Sequence, residues 1–115
     1  PYTNTNVEEI YDQLGPFDYG ESEPRDDLEY RPLQLLETGA QYEGEFIKGT
    51  NVREGKGKQI WADGSVFEGY WKNSQTNGRG RLIHAGNLSI SYHFSNLIHR
   101  ILNIPFSSKV RITNK

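Results

Sequence analysis

The fold is decided by two similar stretches of sequence, which read GAQYEGEF at residues 39–46 and GSVFEGYW at residues 64–71. Each is followed by a glycine–basic–glycine–basic tetrapeptide, GKGK at residues 55–58 and GRGR at residues 78–81. The first stretches lie 25 positions apart and the tetrapeptides 23, so the first unit is longer by two residues, within residues 49–54. This self-similarity predicts repeated units stacked side by side, and a turn tolerates such an insertion.

Each unit has the pattern of a β-hairpin. Aromatic residues and a glycine occupy every second position of residues 42–46 and of residues 67–71. This is the period of a strand, so both rings of a unit share one face. A glycine between them leaves room for a neighbouring ring or backbone. Turns are predicted at Lys48-Gly49, Asn73-Ser74 and Asp63-Gly64.

The two units resemble the MORN repeat (membrane occupation and recognition nexus). The first copy has Tyr-Glu-Gly-Glu-Phe, then Lys-Gly and Gly-Lys-Gly; the second has Phe-Glu-Gly-Tyr-Trp-Lys-Asn, then Gly-Arg-Gly. The linking Trp-Ala-Asp-Gly is also similar to the family. The chain departs from the pattern at Phe46, where the family usually has Trp, and at Ser74, which replaces a turn glycine. The resemblance covers about residues 39–86.

The expected fold class is mainly β, with short stacked β-hairpins forming a solenoid sheet of the MORN type. We predict an N-terminal docking arm with a short helix at residues 1–37, two hairpin repeats at 38–86, and a C-terminal capping strand and tail at 87–115. Hydrophobic residues make up only 34% of the chain and its mean hydropathy is −0.78. These values fit a thin or extended fold, or a chain that needs a partner.

The N-terminal arm is expected to contain one helix. Apolar residues within 7–14 recur at helical spacing and give one apolar face. Asn6, with Glu9 three residues later, is the predicted N-cap, and Gly15-Pro16 ends the helix. The acidic stretch 17–27 is interpreted as a solvated loop.

Two further elements are predicted outside the repeats. Pro24 and Pro32 argue against regular structure around them, although residues 31–36 could form an extended strand. Apolar residues alternate with polar ones over 88–94, which predicts a strand that pairs with the last repeat. The spacing of residues 97–102 predicts a short amphipathic helix, ended by Pro105.

Composition excludes several classes of function. The net charge is −2 and there are no cysteines, so neither nucleic-acid binding nor a disulfide or thiolate metal site is indicated. His84, His93 and His99 have no metal-site spacing, and the Gly-x-Gly pairs lack the remainder of a phosphate-binding loop. We therefore expect no catalytic residue, no cofactor, no metal and no small-molecule substrate. No transmembrane stretch is present, and a cytoplasmic location is expected.

Two sets of side chains are candidate contacts. The aromatic residues of the repeats are candidates for gripping a protein partner; these are Tyr42, Phe46, Phe67, Tyr70 and Trp71. Tyr70 lies on the opposite face from the others and stands where the pattern usually has Glu. Basic residues in or beside the hairpins could meet an anionic membrane or an acidic partner; these are Lys48, Lys56, Lys58, Lys72, Arg79 and Arg81.

The resemblance implies protein–protein contacts within a larger cytoskeletal, ciliary or membrane-associated assembly. We therefore expect a non-catalytic scaffold subunit, with the helix, acidic loop and tail docking on neighbouring proteins of a multi-subunit complex. A peripheral adaptor for anionic phospholipids is the alternative, although acidic residues nearly cancel the basic ones. A third reading is a regulatory piece of an enzyme, since MORN repeats also accompany kinases and methyltransferases.

Overall fold

The chain forms one antiparallel sheet with a helix against one of its faces. The computed structural model describes residues 2–86, together with the backbone alone of residues 89–94 and 109–112. The elements in chain order are α1 Thr5–Leu14, β1 Leu28–Leu35, β2 Gln41–Ile47, β3 Arg53–Ile60, β4 Val66–Lys72, β5 Gln75–His84, β6 Ser89–Phe94 and β7 Lys109–Ile112. Neighbours in sequence are neighbours in the sheet, which confirms the expected stack of hairpins. The predicted helix at residues 97–102 lies outside the described residues.

Helix α1 begins two residues earlier than the sequence pattern predicted. Asn4, not Asn6, is the N-cap: its side-chain Oδ1 accepts the backbone N–H of Asn6 at 3.0 Å and of Val7 at 3.2 Å. A tertiary contact places it there, because the backbone of Gly64 lies so close to Asn4 that a Cβ on Gly64 would be 2.5 Å from the Asn4 Cβ. Gly15 ends the helix as predicted, with φ 78° and its N–H bonded to the Tyr11 carbonyl.

A stripe of four glycines crosses the repeats. Gly44, Gly57, Gly69 and Gly80 are successive register partners on strands β2 to β5. A Cβ on Gly57 would lie 2.0 Å from the Tyr42 hydroxyl, so the ring of Tyr42 lies against the glycine of the next strand. The second repeat repeats this contact, with the Gly80 Cβ position 2.4 Å from Phe67 Cζ. The stripe therefore makes the space that the aromatic rings fill.

One face of the sheet, the aromatic face, carries the main core. Tyr42, Phe46, Phe67, Trp71 and Leu82 are buried together there. The centroid of the Tyr42 ring lies 5.0 Å from that of Phe46 and 5.4 Å from that of Trp71, and both ring pairs meet edge-to-face. Such pairs add about 0.5–1.5 kcal/mol each beyond area burial. The Trp71 Nε1–H donates to the Gly57 carbonyl at 3.1 Å, which satisfies the one polar atom of the indole.

The opposite face, the helix face, is organised in rows across the strands. Its charge row is formed by register partners of alternating sign, Glu43, Lys58, Glu68 and Arg81. Opposite charges on adjacent strands favour this register over a slipped one. Beside the charge row runs a mainly apolar row of register partners, formed by Leu35, Gln41, Ile60, Val66 and Ile83.

The hairpin turn of the second repeat accommodates its missing glycine. Asn73 and Ser74 both have positive φ, 53° and 65°, between the paired residues Lys72 and Gln75. This is the backbone of a two-residue turn that matches strand twist. The Ser74 hydroxyl accepts the Arg53 N–H at 3.1 Å and the Ser74 N–H donates to the Arg53 carbonyl at 2.9 Å. These two bonds offset the unfavourable backbone of a residue other than glycine.

Strand β1 contains Pro32, a residue that argues against regular structure, within the stretch 31–36 that the sequence predicted as a possible extended strand. The register of β1 against β2 shifts between Arg31 and Gln34, so the proline lies in an irregularity of the ladder. Strand β1 is one of the two edges of the sheet formed by the described strands. A proline is tolerated at such a position because its missing N–H removes no central ladder bond. The predicted extended strand is confirmed, and the proline only shifts its register.

Candidate protein-binding surfaces

The aromatic residues predicted to grip a partner are mostly interior. Tyr42 and Phe46 are fully buried, and Phe67 and Trp71 are no more than 3% exposed. Burial raises the pKa of the Tyr42 phenol above its usual range, and its hydroxyl donates to the Glu45 carbonyl at 2.9 Å. These rings hold the repeats together and present almost no surface to another molecule.

Tyr70 does lie on the opposite face, as its position predicted, but the N-terminal arm contacts it. Its hydroxyl donates to the Tyr19 carbonyl at 2.8 Å, and the two rings meet edge-to-face at 5.6 Å. Tyr19 in turn lies against Phe17, with ring centroids 5.0 Å apart. Burial raises the pKa of the Tyr19 phenol above its usual range. The first part of the stretch expected to be a solvated loop is therefore packed on the sheet.

The arm docks on the second repeat of its own chain through a buried ion pair. Glu68 and Arg81 are 6% and 5% exposed and lie 3.0 Å apart between Oε1 and Nη2. The Tyr11 hydroxyl donates to Glu68 at 3.1 Å, and Arg81 donates to the Gly15 carbonyl at 2.7 Å. Burial and the neighbouring Glu68 carboxylate raise the pKa of Tyr11 to about 12. These bonds join the end of α1 to the centre of the helix face.

Apolar packing holds the other half of α1. Val7 and Ile10 are buried against Ile83, with Val66 and Ala85 beside them. Burying two such side chains stabilises the contact by roughly 1.5–3 kcal/mol each. The arm was expected to dock on neighbouring proteins; the structure instead places it on its own sheet. This contact joins residues more than fifty positions apart, which a local sequence pattern does not encode.

The predicted basic contacts divide into two groups. Arg81 is buried in the ion pair and is not available to a membrane or partner. Arg79 donates to the carbonyls of Asp18 and Tyr19 at 2.9 and 3.0 Å. The ammonium groups of Lys56 and Lys58 lie over the rings of Tyr19 and Tyr11 at 5.8 and 4.7 Å. The arm thus contacts four of the six candidates.

The remaining two cations, Lys48 and Lys72, are exposed at neighbouring hairpin ends. The Lys72 ammonium lies 4.0 Å from a Glu54 carboxylate oxygen. Arg25 also binds Glu54 at 3.2 Å and Asp27 at 2.8 Å, and its guanidinium holds the pKa of Asp27 below the usual value. This edge of the sheet therefore carries both signs of charge and has no uninterrupted cationic surface.

Among the side chains that the structure describes, the most exposed large apolar groups of the sheet all lie on the edge strand β1. Tyr30 is 60% exposed, Leu33 46% and Leu35 64%. These residues were not among the contacts predicted from the sequence. The signal available was the leucine-rich stretch 31–36, but its exposure follows from β1 having a partner strand on one side only. Clustered exposed apolar groups are typical of interaction sites.

An open cleft adjoins this edge on the helix face. It has a volume of about 420 Å³. Tyr30 forms one wall, and Tyr11 and Tyr19 of the arm form the other. The floor consists of residues of β2 and β3, with part of β4; these are Glu43, Gly44, Glu45, Lys56, Gly57, Lys58 and Glu68. We call this space the first-repeat cleft.

The described part of the chain has neither a metal-binding cluster nor a membrane-spanning helix. No cluster of three or more side chains suited to metal binding occurs there. None of its helices has the length and apolar character required to cross a bilayer.

Comparison with known proteins agrees with the repeat geometry. The family model for the MORN repeat matches residues 42–66 and 67–87. The two matches begin at Tyr42 and Phe67, the residues whose rings lie against Gly57 and Gly80. No curated protein sequence matches the chain significantly. MORN repeats are generally non-enzymatic units that contact proteins or membrane lipids. The chain therefore carries two MORN repeats in register, at residues 42–66 and 67–87.

Proposed function

We propose that the chain is a non-catalytic interaction subunit that binds other proteins within a larger assembly. The observation that carries this proposal is the exposed apolar edge of the sheet. Tyr30, Leu33 and Leu35 are each 46% exposed or more on a strand that ends the sheet. Covering such an edge removes apolar surface from water and protects unpaired strand groups.

The phospholipid alternative has weaker support. A membrane-binding surface of this type needs several cations near one plane, each contributing about 1 kcal/mol. Four of the six basic candidates are held by the arm or by Glu68, and Lys72 lies beside Glu54. Alternating acidic residues in the charge row further reduce the attraction of this face for anions.

We also propose a cytoplasmic location in a ciliary or other cytoskeletal structure. The support is the resemblance to MORN-repeat proteins together with the absence of cysteine, which suits a reducing compartment. Tagging the native protein and imaging it beside axonemal and cortical markers tests the location. A signal confined to the lumen of the secretory pathway would contradict it.

The central experiment is gentle affinity isolation of the native protein, followed by mass spectrometry and native mass measurement. A stoichiometric multi-protein complex is expected. The matched test is sedimentation with vesicles containing phosphatidylserine or a phosphoinositide, at 50 and 200 mM salt. A free monomer that sediments with these vesicles in low salt only would refute the protein-binding proposal and support the phospholipid alternative.

A further inference from the structure

The two repeats have equivalent helix faces, yet α1 packs on strands of the second repeat, and the arm reaches the first repeat along strand β3, where the Tyr19 hydroxyl donates to the Gly57 carbonyl at 3.3 Å. Glu68 lies 25 positions after Glu43, and Arg81 lies 23 positions after Lys58, so each pair occupies equivalent positions of the two repeats. Glu43 and Lys58 are register partners, as are Glu68 and Arg81. In the second repeat this pair is covered by α1 and bonded to Tyr11 and Gly15. In the first repeat Glu43 accepts a hydrogen bond from the Tyr30 hydroxyl and Lys58 lies over the Tyr11 ring, but no helix covers the pair, which forms the floor of the first-repeat cleft.

The apolar row shows the same difference. Its Val66–Ile83 end is packed under Val7 and Ile10 of α1. Its other end, with Ile60 and Leu35, continues past the helix, and Leu35 is 64% exposed. Apolar side chains and a charge pair of the kind that binds α1 therefore recur on strands β1, β2 and β3. The second repeat therefore indicates what kind of segment fits the first.

The spacing of the strands fits a second helix. Equivalent positions of the two repeats lie two strands apart, which is about 9.6 Å at the usual strand separation. Helices pack side by side at about 8–10 Å. A helix laid over β2 and β3 as α1 is laid over β4 and β5 would therefore contact both the sheet and the free side of α1.

The negative charge of α1 favours one kind of helix as the occupant of the first-repeat cleft. Glu8 and Asp12 line the small cavity between α1 and the first repeat, beside Lys58 and Ile60. Helix α1 itself contains three acidic residues and no basic one. The arm of a second copy, laid in the same orientation, would turn Asn6, Glu9 and Gln13 toward this acidic side; it would bring one more acid and no cation there, and would gain no charge attraction. A helix with basic residues along that side would be attracted.

We propose that the first-repeat cleft is a docking site for an amphipathic helix of a partner protein, with apolar residues on the sheet and basic residues toward α1. This inference rests on the proposed protein-binding function and names its partner class. Leu35 and Ile60 would receive the apolar stripe, and Tyr30 would flank it. Lys58, equivalent to Arg81, would lie at the carboxyl end of the bound helix, where cations are favourable.

The test uses a defined probe and the full chain. The probe is a labelled peptide of residues 4–19, NTNVEEIYDQLGPFDY, carrying Asn6→Lys, Glu9→Lys and Gln13→Lys, which are the positions that face α1 when the peptide is laid in the orientation of α1. Fluorescence anisotropy should show saturable one-to-one binding. The unchanged peptide and a scrambled lysine peptide should bind at least about tenfold more weakly. Equal binding of the lysine and scrambled peptides would overturn the proposal.

Variants of the chain locate the site. Leu35→Asp and Tyr30→Ala change exposed side chains, so both proteins should fold with unaltered circular dichroism. Each should weaken binding of the lysine peptide at least about tenfold, whereas Lys48→Glu, at a hairpin end away from the cleft, should leave it unchanged. Unaltered binding to Leu35→Asp would place the peptide elsewhere and refute the assignment.

Two further outcomes separate the inference from the proposed function. If the native chain enters a complex and its Leu35→Asp variant does so equally well, the inference fails while the proposed function stands. If the native chain enters no complex, the proposed function fails. A concentration-dependent dimer in sedimentation, abolished by Leu35→Asp, would make a second copy the occupant and overturn the partner assignment.

Discussion

Replacing Gly57 by alanine tests whether the glycine stripe sets the packing of the repeats. Gly57 is buried in the middle of β3, and an added Cβ would lie 2.0 Å from Tyr42 Oη and 2.4 Å from Tyr42 Cζ. The Gly57 backbone is not in the left-handed region, so alanine is conformationally acceptable there and the expected effect is steric. The Tyr42 ring has to leave its position between Phe46 and Trp71.

The expected cost follows from what the displaced ring loses. Removing a fully buried large aromatic side chain costs about 3–5 kcal/mol, and overpacking a core costs about 1–3 kcal/mol. We expect Gly57→Ala to lower the free energy of unfolding by about 3 kcal/mol, and the melting temperature by roughly 10–15 °C. Gly78→Ala is the control, because Gly78 has φ 92° with no atom within 4 Å. It should cost about 1 kcal/mol from backbone strain alone.

The assay is urea unfolding followed by the fluorescence of the two tryptophans, with Tyr42→Ala and the double variant measured in parallel. Tyr42→Ala alone should cost about 4 kcal/mol. The double variant should cost no more than Tyr42→Ala, because the ring that obstructs the new methyl group is then absent. This corresponds to a coupling energy of about 3 kcal/mol. Additive effects, or a cost below about 1 kcal/mol for Gly57→Ala, would refute the reasoning.

Three other substitutions test the arm and its ion pair. Asn4→Ala removes the N-cap of α1 and should destabilise the protein by about 1 kcal/mol, with faster proteolysis of the arm as the measure. Arg81→Leu leaves the buried Glu68 carboxylate without its cation, so urea unfolding should show a loss of about 3–5 kcal/mol; a change below 1 kcal/mol would contradict the buried pair. The pKa of Tyr11 is raised to about 12, above its unfolded value near 10, so its neutral form stabilises the folded chain below pH 10. That contribution should be lost between pH 10 and 12, and Tyr11→Phe should reduce the slope of the unfolding free energy over this range.

The arm gives the sheet a covering that the repeats lack by themselves. On the aromatic face, the rings cover one another and the glycine stripe. On the helix face, α1 and the segment containing Phe17 and Tyr19 cover the second repeat and reach the first repeat only along strand β3. The asymmetry between the two repeats is what leaves the first-repeat cleft and the β1 edge open to a partner.

The local sequence pattern was sufficient to predict the hairpins. The alternation of rings and glycine in residues 42–46 and 67–71 is a property of neighbouring positions, and so are the turn dipeptides. The confirmed predictions, including the extended strand before the repeats and the strand at 89–94, are of this kind. The N-cap was placed at Asn6 rather than Asn4 because both are good caps locally, and the contact with Gly64 decides between them.

The amino-acid sequence by itself determined that this chain forms glycine-punctuated hairpins with two repeats in register, because strand period and turn chemistry are encoded within a few residues. Only the tertiary structure decided which side chains are accessible. Arg81 and Tyr70 look like surface residues from their strand positions, yet α1 and the Phe17–Tyr19 segment cover them. Burial on the helix face depends on contacts between residues more than fifty positions apart, and no local pattern specifies such contacts.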